Sequence, residues 1–171
     1  MEFKAKIVNL CGQRCDLVIV GLFNNRLSDS AKQVDGACDG YLSKISKTGD
    51  LGEQVGQTLL IQNIEQQFPR LTAKRVLLVN CGDEKKFSAN HYRTVINKAL
   101  QAAKNTAAKQ IVCTLPELAT AAKDFDWNLR QACLLADAAD YRFDQLKEKK
   151  NTNNKSSLNK IFFPVADRPT L

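Results

Sequence analysis

An almost unbroken run of apolar residues from Val76 to Cys81 is the strongest structural signal in the chain. Only Asn80 interrupts it, and Gly82-Asp83 follows. A strand with one face in water alternates polar and apolar residues, whereas a continuous apolar run is typical of a strand buried on both faces. The run therefore predicts the central strand of a sheet that helices cover on both sides. In such sheets, ligand sites tend to form where strands end, here at Gly82-Asp83.

Further segments have the composition of β-strands. Residues 3–8 alternate apolar and charged side chains, which predicts a half-exposed strand suited to the edge of a sheet. The other segments are largely apolar, and they are residues 17–23, 58–64, 110–115 and 158–165. A turn is expected at Asn24, directly after the first of these.

The first helix is predicted between Ser28 and Ile45. Ser28 is a favourable N-cap, and apolar residues then recur at intervals of three and four positions. Gly36 and Gly40 lie within this stripe, although each costs about 1 kcal/mol relative to alanine in a helix. We interpret both glycines as places where the helix packs closely against a neighbouring element.

Two more helices follow the same spacing, and the alternation of elements sets the fold class. Ser88 caps a long helix with an apolar stripe from 92 to 103, and a third helix covers residues 124–140. Asp124 and Asp126 suit the start of that third helix. Strands and helices alternate through most of the chain, which predicts an α/β domain with a mixed, largely parallel sheet and helices on both faces.

Composition and charge narrow the class of protein. Apolar residues make up 44% and charged residues 25% of the chain, as in ordinary soluble globular proteins. No apolar run approaches the roughly 20 residues of a membrane helix, and Glu2, Lys4 and Lys6 interrupt any signal-peptide core. We therefore expect a cytoplasmic protein without a membrane partner. The formal net charge of +7 permits an acidic partner.

The cysteines and the single histidine do not predict a metal site or a catalytic centre. Four thiols occupy apolar positions, where cysteine acts as a small hydrophobe: Cys38, Cys81, Cys113 and Cys133. Cys11 and Cys15 lie in a predicted loop with the spacing of half a zinc site, but no second pair accompanies them. His91 is interpreted as an exposed polar residue. Phosphate loops, zinc-protease motifs and nucleophile elbows do not occur.

Lysines concentrate near the C-terminal end of the chain. The cluster consists of Lys147, Lys149, Lys150, Lys155 and Lys160. Such a cluster is usually a solvated loop, but lysines on a loop can also neutralise the phosphates of DNA. No aromatic stacking motif accompanies them, so the recognition of bases has no support.

Several stretches together carry a family signature. They are Met1-Glu2-Phe3, Asp39-Gly40-Tyr41, Gly56-Gln57-Thr58-Leu59-Leu60, Arg75-Val76-Leu77-Leu78-Val79 with Cys81-Gly82, and Tyr141, Phe143, Asp144 and Leu146-Lys147. In their order and spacing over essentially the whole chain they resemble the N-terminal domain of the leucyl aminopeptidases, the cytosolic metallo-aminopeptidase family. Each stretch is structural rather than chemical, so the specificity comes from their combination.

The resemblance implies that the active site lies in a larger C-terminal catalytic domain. That domain would bind two divalent metal ions, manganese or zinc, through Asp, Glu and Lys residues, some of them in an Asn-Thr-Asp-Ala-Glu-Gly-Arg motif that this chain lacks. The resemblance also implies a macrodomain-like fold, a homo-hexameric enzyme and, in some bacterial members, DNA binding. We expect residues 1–166 to form the N-terminal domain and residues 167–171 to begin the linker to the catalytic domain.

Two functions of different classes follow. The first is a non-catalytic domain of a peptidase that releases N-terminal amino acids, preferably leucine, from peptides, with roles in hexamer assembly and active-site access. The second is a module that binds DNA or an ADP-ribose-like ligand. Macrodomain ligand loops are rich in glycine, whereas residues 22–27 contain none, which argues against nucleotide binding. No catalytic residue, metal ligand or cofactor is predicted within the chain itself.

Overall fold

The structure of the chain, a computed structural model, describes residues 1–24, 26–149 and 157–166, and residues 142–149 by their backbone alone. Its strands form one sheet, and they are β1 (Glu2–Lys6), β2 (Leu17–Phe23), β3 (Arg26–Leu27), β4 (Thr58–Gln62), β5 (Arg75–Gly82), β6 (Gln110–Cys113) and β7 (Lys160–Pro164). Their order is β1-β7-β6-β2-β5-β4, with β3 paired to β2. The first five strands of this order run parallel, whereas β4 is antiparallel to β5 and β3 to β2. The prediction of a mixed, largely parallel sheet is confirmed.

Helices cover both faces of this sheet. The helices of the described residues are α1 (Asp29–Ala37), α2 (Tyr41–Ile45), α3 (Ile64–Gln67), α4 (Ala89–Lys104) and α5 (Phe125–Lys149). α4 and α5 enclose one hydrophobic core with the sheet, and α1, α2 and α3 enclose the other. No helix in the described ranges is both long and apolar enough to cross a membrane.

Alternate residues of the buried strands point into opposite cores. Leu17 and Ile19 of β2 lie in the core under α4 and α5, whereas Val18 and Val20 lie in the core under α1 and α2. All four side chains are fully buried. β5 has the same alternation and is buried at every position after Arg75. The prediction that continuous apolar runs are strands buried on both faces is confirmed.

The predicted central position of β5 is wrong. β5 lies between β2 and the edge strand β4, and the middle of the sheet belongs to β6 and β2. A continuous apolar run reports burial on both faces and carries no information about distance from the edge. The prediction of an edge strand at residues 3–8 is confirmed, because β1 pairs with β7 alone among the described strands.

The first predicted helix is two helices. Ser28 does cap α1, since its Oγ accepts a hydrogen bond from the Ala31 N–H at 3.2 Å. The chain then turns at Asp39 and Gly40, whose φ angles of 53° and 79° lie in the left-handed region. No atom lies within 4 Å of a Cβ built on Gly36 or Gly40. The interpretation of close packing is therefore wrong, and glycine serves at position 40 because it adopts a positive φ without strain.

Other element boundaries differ from the prediction by a few residues or more. β4 ends at Gln62 and Ile64 begins α3, so the predicted strand over 58–64 is too long. α5 continues to Lys149, well beyond the predicted end at residue 140. The turn at Asn24 leads into the short strand β3, which folds back on β2 and has too few residues to show a pattern in the sequence.

Candidate functional site

The carboxyl ends of β2 and β5, where ligand sites form in open α/β sheets, are filled by apolar side chains. Phe23 packs edge-to-face on Phe87, with ring centroids 5.2 Å apart. A Cβ at Gly21 would lie 3.1 Å from both Cys81 Sγ and Leu118 Cδ2, so the backbone there is already in close contact with its neighbours. On the side of the sheet that α4 and α5 cover, the strand ends are therefore filled by packed apolar side chains.

A polar cleft of about 540 Å³ lies beside this edge, next to Asn24 and Asn80. Asn80 is 7% exposed and is the single polar residue within the apolar run that marks β5. Its Nδ2 donates to Gly52 O at 2.7 Å, and its Oδ1 accepts from Gly82 N–H at 2.8 Å. Each polar end of the side chain thus has a partner within the protein, which fixes the amide in a structural role. The polar interruption of the run was the sequence signal for this structural role.

His91 has a structural role at the start of α4. Its N–H donates to Ser88 Oγ at 3.3 Å, and its Nδ1 accepts from the Ser88 N–H at 3.2 Å, which together form a capping box. The side chain is half-buried beside Phe87. The interpretation as an exposed polar residue missed this contact, because a histidine at the third helical position can take the place that Glu or Gln usually fills.

The interpretation of Asp124 is confirmed at the start of α5, where Trp127 also makes a packing contact. Asp124 Oδ1 accepts a hydrogen bond from the Trp127 N–H at 2.8 Å, as expected for a carboxylate that serves a helix N-terminus. The Trp127 ring packs against Tyr92, with centroids 5.9 Å apart. Trp127 is therefore a packing residue of the α4–α5 interface.

The thiols of the chain are poor nucleophiles. Burial raises the pKa of Cys15, Cys81 and Cys113 to about 12 and that of Cys38 to about 11. The same cause raises the pKa of the half-buried Cys11 and Cys133. All six thiols are accordingly protonated at neutral pH, whereas a nucleophilic or metal-binding cysteine needs its thiolate.

The structure does not bring the predicted lysine cluster together as one described surface. Lys147 and Lys149 lie on the last turns of α5, while Lys150 and Lys155 lie outside the described residues. Lys160 lies in β7, and its Nζ is 3.3 Å from Glu2 Oε2 and 5.7 Å from the centre of the Phe162 ring. Because Lys160 has a carboxylate and a ring as partners, its charge is largely committed within the protein.

A groove of about 840 Å³ beside the end of β7 is lined by both apolar and polar side chains. We call it the β7 groove; its apolar lining includes Val8, Leu10, Phe125, Leu129 and Val165. Glu117 lies on its wall and accepts hydrogen bonds from Ser30 Oγ at 2.6 Å and Ser30 N–H at 3.0 Å. Those bonds fix the start of α1 to the segment after β6. The groove could not be predicted from the sequence, since its walls come from five separate parts of the chain.

Sequence comparison identifies relatives over the whole chain. The model of the N-terminal domain of the cytosol aminopeptidase family matches residues 19–150. A probable cytosol aminopeptidase of Idiomarina loihiensis is 38% identical over 100% of this chain and 33% of its own length. One of Glaesserella parasuis is 37% identical over 100% of this chain and 34% of its own length. The chain thus spans about a third of the length of the curated relatives it matches.

Comparison with solved structures supports the fold. A mutant of tomato leucine aminopeptidase has a TM-score of 0.70 at 20% identity, over 96% of this chain and 32% of that one. The macrodomain of DarG from Mycobacterium tuberculosis has a TM-score of 0.66 at 9% identity, over 96% of this chain and 98% of that one. These likenesses show a macrodomain-like fold. From the family match and the two close relatives, the chain belongs to the cytosol aminopeptidase family, as its N-terminal domain.

Proposed function

We propose that this chain is the non-catalytic N-terminal domain of a metal-dependent leucyl aminopeptidase. The full-length protein would release N-terminal amino acids, preferably leucine, from peptides in the cytoplasm. Within a homo-hexamer, this domain would aid assembly and shape access to the active site. The names of the relatives and the third of their length that the chain spans support this division of labour.

One observation carries the non-catalytic role, namely the packing of Phe23, Phe87 and Leu118 where the parallel strands end. A catalytic crevice at that edge would need unpaired polar groups aimed into it, and the adjacent Asn80 has both of its polar ends hydrogen-bonded.

The two divalent ions, manganese or zinc, are assigned to the catalytic domain. In the ranges 1–24, 26–149 and 157–166, no three His, Cys, Asp or Glu side chains are grouped so that they could hold a metal. The described residues therefore do not fit a dinuclear centre.

The test of the non-catalytic role compares this 171-residue chain with the full-length parent. Both are assayed on leucine p-nitroanilide with added manganese or zinc. We expect turnover by the parent and none by the chain, because a dinuclear site must activate the attacking water. Stoichiometric, metal-dependent turnover by the chain would overturn the proposal.

The β7 groove is the surface through which this domain could influence the active site. It lies beside Val165 and Ala166, the end of the described chain, so in a protein of the relatives' length the polypeptide that follows would leave the domain next to it. An uncovered apolar groove favours contact with a further domain. We propose that the catalytic domain of the same polypeptide covers it.

Matched substitutions on α5 test that contact in the full-length protein. Leu129→Asp places a charge in the groove, whereas Leu134→Asp makes the same change at a side chain that is 58% exposed. We expect the first variant to raise KM or weaken the hexamer, as measured by kinetics and native mass spectrometry, and the second to behave as the parent. Equal behaviour of both variants and the parent would contradict a role for the groove.

A second proposal is weak, salt-sensitive binding of duplex DNA by the hexamer. The net charge of +7 favours it, together with Lys147 and Lys149 near the end of α5. Each neutralised phosphate contributes a slope of about −0.9 to the dependence of log K on log salt. Replacing Lys149, Lys150 and Lys155 with glutamine should flatten the slope in a salt titration. Identical slopes for the parent and the variant, or no binding at low salt, would mean that these lysines do not contact DNA.

ADP-ribose is the probe for the remaining alternative, a nucleotide-binding module. The cleft beside Asn80 has its buried amide satisfied by the protein, so we expect no heat of binding when ADP-ribose is titrated into the chain. Saturable binding that Asn80→Asp abolishes would favour the nucleotide module instead.

A further inference from the structure

Strand β4 is an edge of the sheet whose backbone is open to one more strand. It pairs with β5 on one side, and no other described strand pairs with it. Gly56, at a φ of 90°, forms a bulge just before β4, where its N–H donates to Asn80 O at 2.7 Å. The Asn80 N–H in turn donates to Gln57 O at 2.8 Å. The Gln57 C=O therefore faces β5, whereas its N–H donates to Gln54 O at 3.2 Å.

The alternation of an antiparallel ladder then assigns the outward-facing groups. Residues that bond to β5 alternate with residues whose N–H and C=O point the opposite way. Counting from Gln57, the outward-facing residues are Thr58, Leu60 and Gln62. These three present a row of donors and acceptors along the free edge.

The opposite edge of the sheet carries protection that β4 lacks. β1 carries the exposed charged residues Glu2 and Lys4 and the half-buried Lys6, and charged side chains discourage the addition of a strand. β4 reads Thr-Leu-Leu-Ile-Gln and contains no charge and no proline. Leu59 and Leu60 are only half-buried, although each packs against a different one of the two cores. An uncharged edge with incompletely buried leucines is suited to pairing.

We propose that β4 pairs antiparallel with β4 of a second copy of this chain, about a two-fold axis at Leu60. Leu60 then lies opposite Leu60 of the partner subunit, and Thr58 lies opposite Gln62 of the partner subunit. This is the one antiparallel register in which all three outward-facing residues of both strands find hydrogen-bonding partners. On the other face, Leu59 lies opposite Ile61 of the partner subunit, so apolar side chains meet apolar side chains.

The two-fold pairing places no like charges opposite each other within the strand pair. The chain carries a net charge of +7, so contact between two copies is repulsive over most of the surface. β4 itself brings no charged side chain to the axis. The pairing would be one contact through which the domain aids assembly, so it rests on the assembly role proposed above. Its test measures association and not peptide hydrolysis, so the two proposals can fail separately.

Sedimentation of the chain over a concentration series tests the pairing. A five-residue strand pair buries less than a standard interface, so we expect a monomer–dimer equilibrium with appreciable dimer only at roughly 0.1–1 mM. Leu60→Lys would place two ammonium groups opposite each other at the axis and should abolish the dimer. Ile7→Lys is the control, because it also replaces an aliphatic side chain with lysine. Ile7 is 63% exposed and directly follows β1, at the opposite edge of the sheet, so this variant should leave the dimer unchanged.

Disulfide trapping tests the register itself and does not depend on how Leu60→Lys folds. In a background with Cys11→Ser and Cys133→Ser, Leu60→Cys should form a covalent dimer with diamide as the oxidant. Hydrogen-bonded antiparallel pairs hold their Cα atoms about 5.5 Å apart, within disulfide range. Thr58→Cys and Gln62→Cys should each remain monomeric alone and crosslink when mixed.

Each outcome of these experiments either supports or overturns the β4 pairing. A concentration-dependent dimer that Leu60→Lys abolishes and Leu60→Cys traps supports the pairing. A chain that stays monomeric to 1 mM or so, or a dimer that Leu60→Lys leaves intact, overturns it. Crosslinking by Thr58→Cys alone would also overturn it, because that requires a different register.

Discussion

Replacing Leu77 with alanine tests how far the two-sided sheet core stabilises this domain. Leu77 is 1% exposed and lies in β5 between Ile19 of β2 and Leu60 of β4. Its side chain belongs to the core under α4 and α5. Rigid neighbours on both sides prevent the site from collapsing, so the variant loses apolar contacts and leaves a cavity, at a cost of about 2–5 kcal/mol. Because the free energy of unfolding of a domain is about 5–15 kcal/mol, we expect the Leu77→Ala variant to fold but to be much less stable than the parent.

Urea unfolding followed by circular dichroism measures this loss. With a denaturant slope of about 2 kcal/mol per molar, the urea midpoint should fall by roughly 1–2.5 M while the slope stays unchanged. Leu134→Ala is the matched control on α5, and because Leu134 is 58% exposed its midpoint should stay close to that of the parent. Coincident midpoints for Leu77→Ala and the parent would refute the reasoning, since they would mean that β5 does not carry the core.

Three further predictions rest on buried or shielded groups. Val79→Asp places an unpaired charge at a fully buried position, and we expect loss of the cooperative thermal transition; a normal melt would contradict this. Burial tends to raise the pKa of Asp16, but hydrogen bonds from two backbone N–H groups at β6 and a nearby lysine hold it below the ordinary value of 3.8. This group therefore stabilises the fold above pH 3.8, and the stabilisation is lost as the pH falls through its lower folded pKa. Asp16→Asn should be less stable at pH 7 and show a shallower loss of melting temperature on acidification; parallel profiles would argue against it. Asp140 lies 3.5 Å from the α-ammonium of Met1 and 3.6 Å from Lys104 Nζ, so Asp140→Asn should cost about 1–3 kcal/mol in urea unfolding, and unchanged stability would show that solvent replaces the carboxylate.

Features that depend on neighbours in the sequence were predictable. The caps at Ser28 and Ser88 need a side chain that reaches only three residues along the chain, and both form as predicted. The continuous apolar runs of β2 and β5 required burial on both faces, and the structure has it. The order of helices and strands fixed the α/β class, because alternation favours a parallel sheet with helices on its faces.

Features that depend on distant parts of the chain were decided by the tertiary structure. The place of β7 between β1 and β6 and the antiparallel course of β4 leave no trace in local pattern. Glu117 binds Ser30 and Lys160 pairs with Glu2 across most of the chain, so neither role could be assigned from composition. The five lysines of the cluster could not be told apart in the sequence, yet Lys160 forms an ion pair with Glu2 between the paired strands β7 and β1.

The sequence by itself determined the longer strands and helices, the class of fold and, through its signature, the family. The tertiary structure decided that β4 is the second edge strand, where the β7 groove lies and which polar groups have hydrogen-bonding partners. The physical reason is that periodicity and capping are local properties of a helix or strand. The edge, the groove and the ion pairs exist only once packing brings together residues as far apart as Glu2 and Lys160.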